Sequence, residues 1–407
     1  MNIVALEWQT FGMPELAAAV RGRGHALHLL TRDRGRYAHE FGALDGQAVV
    51  VHEVDTADAD AVVAAAREIG HVSGLVSSTD SHCLVALESC ARLGLPGQRP
   101  GSVRLVRDKA AMRDRLYERG LSRARPVRIG LAAAGTAGTG SRIPLPAVIK
   151  DTAGTGSKNV WLARDNAELR TVLDHARHAR LRGSLSAEPY LIGPLYSVET
   201  ISWRGETRVL GVSGRTVSPE PLFREEAVSS PVFLPTGLAK ELDGWIKLVL
   251  EAVGYDTGFA HTEFVVTREG FEVVEINPRL IGGPVGKGMC VSYGTNIYSG
   301  FVDMALGRRP SLSDAALEPL CGTAHVLLYA PHPGTYRAIE GLGTLALHPG
   351  DPVLRHVRFP GDRIVTVDDQ DGMVAFLSCV GETSELALQT VLSAATKLRV
   401  AVDHDDD

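Results

Sequence analysis

The first hundred residues alternate two hydrophobic patterns. Short runs of apolar residues, typical of buried strands, are separated by segments in which apolar residues recur every three or four positions, as on one face of a helix. Strands that alternate with helices indicate βαβ units and a parallel sheet. We therefore predict a small doubly wound α/β domain over residues 1–101. The predicted strands are residues 2–6, 26–33 and 72–80, and the predicted helices are residues 13–25, 56–70 and 81–95.

The rest of the chain has a different pattern, in which short strands follow one another with few helices between them. After a helix predicted at residues 109–120 comes a low-complexity stretch, residues 130–144, that is typical of a surface loop. Strand patterns then dominate from residue 146, and long helices are predicted at residues 237–254 and 384–400. This order predicts an α+β unit behind the N-terminal α/β domain.

The segment GFAHTEFVVTREGFEVVEINPR carries the most informative chemistry. Two strand-like runs flank Arg-Glu-Gly, and Gly270 fits the last position of a three-residue hairpin loop, where a left-handed glycine is common. Such a turn pairs Thr267 with Phe271. Counting outward along both strands then places Glu263 opposite Glu275.

Asn277 lies two residues beyond Glu275, so the three polar side chains should project from one face of the sheet. Two carboxylates directly opposite each other destabilise a sheet unless a cation lies between them. Two carboxylates and an amide oxygen are hard ligands that suit Mg²⁺. We therefore expect Glu263, Glu275 and Asn277 to hold magnesium. The alternative is an exposed hairpin on which the acids are incidental.

A lysine and a glycine-rich loop indicate a phosphate site upstream of the hairpin. In LPAVIKDTAGTGSKNVWLA a strand ends at Lys150, and the glycines after it allow backbone N–H groups to approach phosphate oxygens. The spacing is not that of a Walker A loop. Residues 136–142 are a near copy of the glycine-rich residues 152–158, so a glycine-rich segment alone is weak evidence for a phosphate site. We favour the second copy, residues 152–158, because it lies between two strands and follows a lysine; an ordinary flexible hairpin tip is the alternative.

Four further residues have weaker signals. Glu188 ends a strand before a proline, which indicates either a hinge between two lobes or an ordinary edge strand. Glu199 follows in the next strand-like run, and by itself its signal is weak. Lys109 begins an amphipathic helix, for which a surface lysine is the simpler interpretation. Arg279 shares the face of Asn277 if the strand continues, and its forked guanidinium suits a phosphate.

The composition narrows the classes of function. Apolar residues make up 44% and charged residues 22%, as in soluble globular proteins. The net charge of -6 argues against a nucleic-acid partner. The N-terminus has no leader pattern, and no stretch approaches the length of a membrane span. The five cysteines are scattered without a Cys-x-x-Cys pair, which fits reduced thiols. We therefore expect a cytoplasmic protein without nucleic-acid or membrane partners.

Taken in this order, the segments resemble the ATP-grasp superfamily, and in particular its carboxylate–amine ligases, including the L-amino acid ligases that form dipeptides. The resemblance rests on DK, VIK, the glycine loop, EPYL with YSVE, HTEF and EINPR, of which EINPR after EF is the most specific. It implies an ATP-grasp fold, of mixed α/β and α+β class, behind a Rossmann-like domain. The implied divisions are that N-terminal domain at residues 1–101, a lid subdomain at residues 102–187 and a large subdomain at residues 188–407.

The resemblance also implies an activity and a role for each matching residue. ATP and Mg²⁺, with Mn²⁺ as an alternative, would serve as cofactors, and a small carboxylate and an amine, in particular amino acids, would be joined through an acyl phosphate. By analogy the enzyme would be a homodimer. The implied residues are Lys109 and Lys150 for the ATP phosphates; Gly154, Gly156 and Ser157 for the lid loop; Glu188, Tyr190 and Leu191 for the adenine hinge; Glu263, Glu275 and Asn277 for the metal; Arg279, with Lys150, for catalysis; and Glu199, Gly282 and Gly283 for the substrate.

One position departs from the family pattern. In many relatives an acid follows the hinge glycine and contacts ribose, whereas this chain has GPLY there, with Leu195 at the acidic position. Two alternatives to the ligase remain open. A carboxylase of the same fold would use bicarbonate as the acceptor, and a regulatory subunit would bind the nucleotide without turnover.

Overall fold

The computed structural model describes residues 1–130 and 143–404. Most of the low-complexity stretch at residues 130–144, including the first glycine-rich copy, lies outside the described residues. The strands are β1 (Asn2–Leu6), β2 (Ala26–Thr31), β3 (Val49–Glu53), β4 (Val72–Val76), β5 (Val127–Ile129), β6 (Ala147–Asp151), β7 (Val160–Ala163), β8 (Leu185–Pro189), β9 (Leu195–Trp203), β10 (Glu206–Val217), β11 (Glu225–Ser230), β12 (Gly258–Thr267), β13 (Gly270–Asn277), β14 (Gly322–Tyr329), β15 (Gly334–Glu340), β16 (Val353–His356), β17 (Arg363–Ile364), β18 (Met373–Gly381) and β19 (Arg399–Asp403). The helices are α1 (Met13–Arg21), α2 (Ala38–Gly42), α3 (Ala59–Ile69), α4 (Cys83–Leu93), α5 (Pro100–Arg107), α6 (Lys109–Glu118), α7 (Asn166–His178), α8 (Thr236–Ala252), α9 (Val285–Tyr293), α10 (Ser299–Ala305) and α11 (Ser384–Ala395).

The N-terminal strands form the parallel sheet that the sequence predicts, in the order β3-β2-β1-β4. Both faces of β1 are buried: Ile3 packs in the cluster that includes α1, whereas Val4 packs in the cluster that includes α3 and α4. A strand covered on both faces is typical of doubly wound α/β folds. The sequence pattern does not predict β3, which lies at the edge of the sheet and is only partly buried.

A small antiparallel sheet, with the strand order β5-β8-β6-β7, follows the N-terminal domain. Helix α7 covers one of its faces, where Leu169 and Leu173 pack with Ile149 of β6. Because neighbouring side chains on a strand point to opposite faces, Lys150 projects from the uncovered face. That face lies over the next sheet.

The large sheet has eight strands in the order β13-β12-β9-β10-β11-β14-β18-β16, and each neighbouring pair is antiparallel. Val198, Ala260 and Ile276 pack in one cluster with the apolar face of α8. The residues between them therefore project from the other face, toward the small sheet. A cleft separates the two sheets, and the polar residues of the motifs lie along it.

The hairpin of β12 and β13 opposes Glu263 and Glu275, as predicted, but the predicted turn is wrong. Thr267 pairs with Gly270 rather than with Phe271, so the loop has two residues instead of three. The register then shifts beside Glu263, where β13 carries one extra residue. Such a bulge changes which face later residues occupy, and here it returns the two acids to opposed positions.

The C-terminal part extends the large sheet and closes one end of the cleft. Helix α11 packs on β14 and β18, and a separate three-stranded sheet has the order β17-β15-β19. Helix α9 packs against β11 and β14, so the segment between β13 and α9 runs across the sheet. No helix in the described part of the chain combines the length and apolar character needed to cross a membrane.

Candidate active site

The cleft between the small and large sheets has a volume of about 380 Å³. Both sheets contribute side chains to it, as do the glycine loop after β6 and the segment that follows β13. Most of the residues predicted from the motifs line this one cleft. Those that do are Lys109, Lys150, Gly154, Gly156, Ser157, Glu188, Tyr190, Leu191, Glu263, Glu275, Arg279, Gly282 and Gly283.

Glu263 and Glu275 line one end of the cleft, and Asn277, which is not among the described residues that line it, contacts Glu275. We call these three residues and Lys109 the charged end. The Nδ2 atom of Asn277 donates to Oε1 of Glu275 over 2.7 Å, and Nζ of Lys109 lies 3.0 Å from Oε2 of Glu275. Glu263 lies on the neighbouring strand, directly opposite Glu275. The prediction that these three side chains share one face therefore agrees with the geometry.

Both acids of the charged end are held in the ionised form. Burial raises the pKa of Glu275, but the charge of Lys109 and the hydrogen bond from Asn277 lower it well below its usual value. Burial likewise raises the pKa of Glu263, while Arg215 and His261 lower it below its usual value. An ionised carboxylate pair is the form that binds a cation.

The donor set of the charged end suits Mg²⁺ better than a softer metal. Among residues 1–130 and 143–404, no three His, Cys, Asp or Glu side chains are placed to hold a metal ion together. The ligands that the charged end offers are two carboxylates and one amide oxygen. Such a set leaves coordination positions for water and phosphate oxygens, as Mg²⁺ prefers.

Lys109 connects the charged end to the glycine loop. Besides its contact with Glu275, its Nζ donates to the backbone oxygen of Gly154 over 2.6 Å. Only 8% of the residue is exposed, so the interpretation of Lys109 as a surface lysine is wrong. Asp108 caps α6 by accepting from the backbone of Ala110 and Ala111, which fixes the helix that begins with Lys109.

Lys150 and Glu188 form a buried ion pair on the small sheet. The Nζ of Lys150 lies 2.8 Å from Oε2 of Glu188, and Nε of Arg113 donates to the same oxygen over 2.8 Å. Burial lowers the pKa of Lys150, whereas the two cations keep the pKa of Glu188 below its usual value despite burial. Strand β8 lies between β5 and β6, so the edge-strand interpretation of Glu188 is wrong.

The glycine loop at residues 152–158 reaches across the cleft to the C-terminal part. The backbone oxygen of Gly156 accepts from the backbone of Gln370 over 3.2 Å, and Oγ of Ser157 donates to the backbone oxygen of Phe223 over 2.7 Å. Gly156 has a φ of +66°, a conformation that favours glycine. The loop therefore covers the cleft rather than extending into solvent.

The predicted hinge lies where β8 leads into β9. The backbone N–H of Tyr190 donates to the oxygen of Pro146 over 3.2 Å, and the tyrosine hydroxyl bonds to Glu220. Val148, Val160, Val265 and Val274 line the cleft beside it. Leu195 also lines the cleft, so the position that is acidic in many relatives is apolar here.

Arg279 lies just past the end of β13, which ends at Asn277. The strand therefore does not continue to Arg279, as it would have to for Arg279 to share the face of Asn277. Its Nε donates to Oδ2 of Asp80 over 2.8 Å, and its Nη1 donates to the backbone oxygen of Leu280 over 3.1 Å. Burial lowers the pKa of Arg279, but Asp80 raises it above its usual value. Asp80 belongs to the N-terminal domain and carries no motif in the sequence.

Three further charged groups near the acids have no role assigned from the sequence, although the last lies in the HTEF motif: Arg215, Glu225 and His261. The Nη2 atom of Arg215 lies 2.6 Å from Glu225 and 3.2 Å from Glu263. Burial lowers the pKa of His261, but Glu199 and then Glu263 raise it to about 9. His261 could be found from the sequence, because it alternates with Glu263 on one strand; Arg215 could not, because its strand shows no such pattern.

The three candidate substrate residues have different places. Gly282 and Gly283 line the cleft. Glu199 is not among the described residues that line it, because its Oε1 bonds to His261 over 2.5 Å and its Oε2 accepts from the backbone of Ile281 over 2.9 Å. Glu199 thus holds the segment after β13 in place. Because both of its carboxylate oxygens are engaged within the protein, we do not assign it a substrate contact.

Two family models match separate parts of the chain. Residues 143–287 match the family model of the ATP-grasp domain, and residues 326–403 match that of the L-amino acid ligase C-terminal domain 2. The chain is 27% identical over 399 residues to the uncharacterized protein y4rH of Sinorhizobium fredii, a match that covers 96% of this chain and 80% of that protein.

Two further matches carry named activities. The chain is 26% identical over 377 residues to carnosine synthase 1 of Gallus gallus, covering 81% of this chain but only 39% of the length of that synthase. Its fold is similar to the crystal structure of an L-amino acid ligase from Bacillus licheniformis, with a TM-score of 0.82, 19% identity and 99% of each chain covered. Residues 143–287 therefore form an ATP-grasp domain and residues 326–403 a C-terminal domain of the L-amino acid ligases, which confirms the resemblance and the ligase class predicted from the motifs.

Proposed function

We propose that this chain joins the carboxylate of an amino acid to an amine, using ATP to form an acyl phosphate and releasing ADP and phosphate. One observation carries the proposal. A single face of the large sheet presents two ionised carboxylates and an amide, and two buried lysines and Arg279 lie around them. That combination suits a reaction in which negative charge develops on phosphate oxygens.

We assign ATP to the half of the cleft that the small sheet covers. The apolar strip of Val148, Val160, Val265 and Val274 suits the adenine ring, and the backbone at Tyr190 and Leu191 suits its polar edge. Lys109, Lys150 and the glycine loop then face the phosphates. Leu195 offers no hydrogen bond, so the ribose hydroxyls must find other partners.

Glu263, Glu275 and Asn277 would hold Mg²⁺, or Mn²⁺ in its place, and the ion would offset the charge of the ATP phosphates. The amide of Asn277 now donates to Glu275, so its oxygen remains available as a ligand. Lys109 lies on the other oxygen of Glu275 and keeps that carboxylate ionised before any ligand arrives.

The reaction takes two steps in which atoms and charges balance. An oxygen of the substrate carboxylate attacks the γ-phosphorus, the bond to the bridging oxygen breaks, and ADP leaves. The amine nitrogen then attacks the acyl carbon, phosphate leaves with one former carboxylate oxygen, and the nitrogen loses a proton. Arg279 would offset the charge on the transferred group, and the glycine loop would exclude water that could hydrolyse the acyl phosphate.

The route of an oxygen atom tests this proposal. Amino acids with ¹⁸O in the carboxylate are supplied with ATP, Mg²⁺ and a panel of amines, and the phosphate released is examined by mass spectrometry. The proposal predicts one ¹⁸O atom per phosphate, together with ADP. Release of AMP and pyrophosphate, or phosphate without label in the presence of product, would contradict it.

The same assay separates the two alternatives. Phosphate release that requires bicarbonate and no amino acid would favour a carboxylase of this fold. Binding of ATP with no release across the whole panel would favour a subunit without turnover. Cytoplasmic location and the homodimer expected by analogy remain predictions, and the latter can be checked by light scattering of the purified chain.

A further inference from the structure

The end of the cleft opposite the metal acids is apolar. We call Val228, Val285, Leu327, Met373 and Phe376 the apolar end; all five line the cleft. Arg215 pairs across the sheet with Val228, Val228 pairs with His325, and Leu327, two residues beyond His325, pairs with Phe376. Val228, Leu327 and Phe376 therefore continue the same face that carries the acids. Strands lie about 4.8 Å apart, so His325, which is directly across from Arg215 two strands away, lies roughly 10 Å from it, and Leu327 lies two residues further along β14.

The segment after β13 connects the two ends. Arg279, Ile281, Gly282, Gly283 and Val285 all line the cleft, so the backbone follows it from the proposed phosphate site to the apolar end. A substrate whose carboxylate lies beside Arg279 would extend along Gly282 and Gly283. Its side chain would then reach the apolar end.

Resting on the proposed function, we propose that the apolar end binds the side chain of the carboxylate substrate, and that this substrate is an amino acid with an uncharged, apolar side chain. Burial of an apolar side chain against these residues is favourable. A charged side chain would lose its hydration there without gaining a partner.

Among the described residues, the ionisable groups that border the apolar end offer no unpaired charge, although the buried Nε2 atom of His325 has no hydrogen-bond partner. Arg215 and Glu225, which border it, pair with each other at 2.6 Å. His325, which pairs across the sheet with Val228, is buried and shares its Nδ1 with Oγ of Ser378 over 2.8 Å. Burial lowers the pKa of His325 to about 3, so the ring is neutral at physiological pH.

Gly283 and Phe376 set the size of the apolar end. Gly283 has a φ of +60°, and a Cβ atom built on it would lie 3.2 Å from Cζ of Phe376. The ring of Phe376 also packs edge-on against Phe11, with centroids 5.2 Å apart. The phenylalanine therefore occupies the space that a side chain at position 283 would need, and it forms a fixed wall of limited depth.

Hydroxylamine provides a test that does not depend on the unidentified amine, because it converts acyl phosphates to hydroxamates. The full chain is incubated with ATP, Mg²⁺, hydroxylamine and single amino acids. We expect kcat/KM for leucine and methionine to exceed that for aspartate and lysine by on the order of 10²-fold or more. Comparable values for the charged amino acids would overturn the inference alone. Hydroxamate from none of the amino acids would overturn the proposed function, and the inference with it.

Leu327→Phe tests which residues form the subsite. The larger side chain should lower the ratio of kcat/KM for leucine over alanine by about 10-fold, because it shortens the space for the substrate. This ratio is measured within one variant, so a partial loss of folded enzyme does not change it. Leu328→Phe is the matched control, since Leu328 lies on the opposite face of β14 and packs in other clusters. An unchanged ratio in Leu327→Phe, or an equal drop in both variants, would contradict the assignment.

Discussion

The acids of the charged end and Val228, Leu327 and Phe376 of the apolar end lie on one face of one sheet, yet the two ends are organised in different ways. At the charged end Glu275 and Glu263 already have cationic neighbours, Lys109 at 3.0 Å and Arg215 at 3.2 Å. At the apolar end Leu327 and Phe376 contact other apolar side chains. The first region relies on pairing of buried charge, and the second on packing.

This difference has an energetic consequence. Removing one partner of a buried ion pair strongly destabilises the fold. Replacing an apolar side chain with another apolar side chain of similar size costs little stability. The charged end should therefore tolerate few substitutions, and the apolar end should vary in shape while the chemistry is kept. Four substitutions test this contrast.

Arg113→Ala should destabilise the fold by about 3–5 kcal/mol, because it leaves the buried carboxylate of Glu188 without one of its two cations. Urea unfolding of the variant and the parent chain gives the difference. Arg115→Ala, on the same helix but with a half-exposed side chain, is the control and should change stability by no more than about 1 kcal/mol. Equal effects of the two substitutions would remove the proposed dependence on buried pairing.

Arg279→Ala should lower the rate of phosphate release by roughly 10²–10³-fold, since one donor aimed at developing negative charge contributes about that much. The dissociation constant for ATP, measured by calorimetry, should change far less. The control is Arg337→Ala, whose side chain is exposed and pairs only weakly with Asp403. Near-normal turnover of the Arg279 variant would exclude this residue from the mechanism.

Asp80→Asn should lower kcat by roughly 10–100-fold, in line with the loss of a hydrogen bond between charged groups. Asp80 does not reach the acids, but it holds the guanidinium of Arg279 through Nε at 2.8 Å. A positioning role predicts that kcat falls while KM for ATP stays nearly constant, and that Asp80→Glu recovers part of the rate. A drop in stability with unchanged kcat would instead indicate a structural role between the domains.

Phe376→Leu should have the smallest effect, about 1 kcal/mol in unfolding free energy, because it keeps an apolar side chain of comparable volume. The affinity for ATP, titrated in the presence of Mg²⁺, should equal that of the parent chain. A clear loss of ATP affinity would show that the two ends of the cleft are coupled and would break the comparison.

The β12–β13 hairpin shows how much of the structure a local sequence pattern can predict. The alternation of apolar and polar residues on both sides of a short turn was enough to oppose Glu263 and Glu275. It did not give the turn itself, because a two-residue loop followed by a bulge produces the same opposed pair as a three-residue loop without one. The predicted pairing of Glu263 with Glu275 is therefore confirmed, while the register predicted between that pair and the turn is wrong.

Lys109 and Glu188 show the opposite case. A lysine at the start of a helix and a glutamate before a proline have no distinctive pattern, and the plainer interpretation of each is wrong. Both are buried because α6 and β8 pack against elements that are distant in the chain. Burial of an isolated polar residue depends on its neighbours in space, which a pattern along the chain does not contain.

The sequence by itself determined the α/β N-terminal domain, the order of the motifs and the pair of acids, because hydrophobic periodicity and hairpin pairing act over short separations. Tertiary structure alone decided that Asp80 meets Arg279, 199 residues away, and that Val228, Leu327 and Phe376 close one end of the cleft. Those contacts follow from the order of strands in the sheet and from the packing of one domain on another. Neither of these is encoded in any local run of residues.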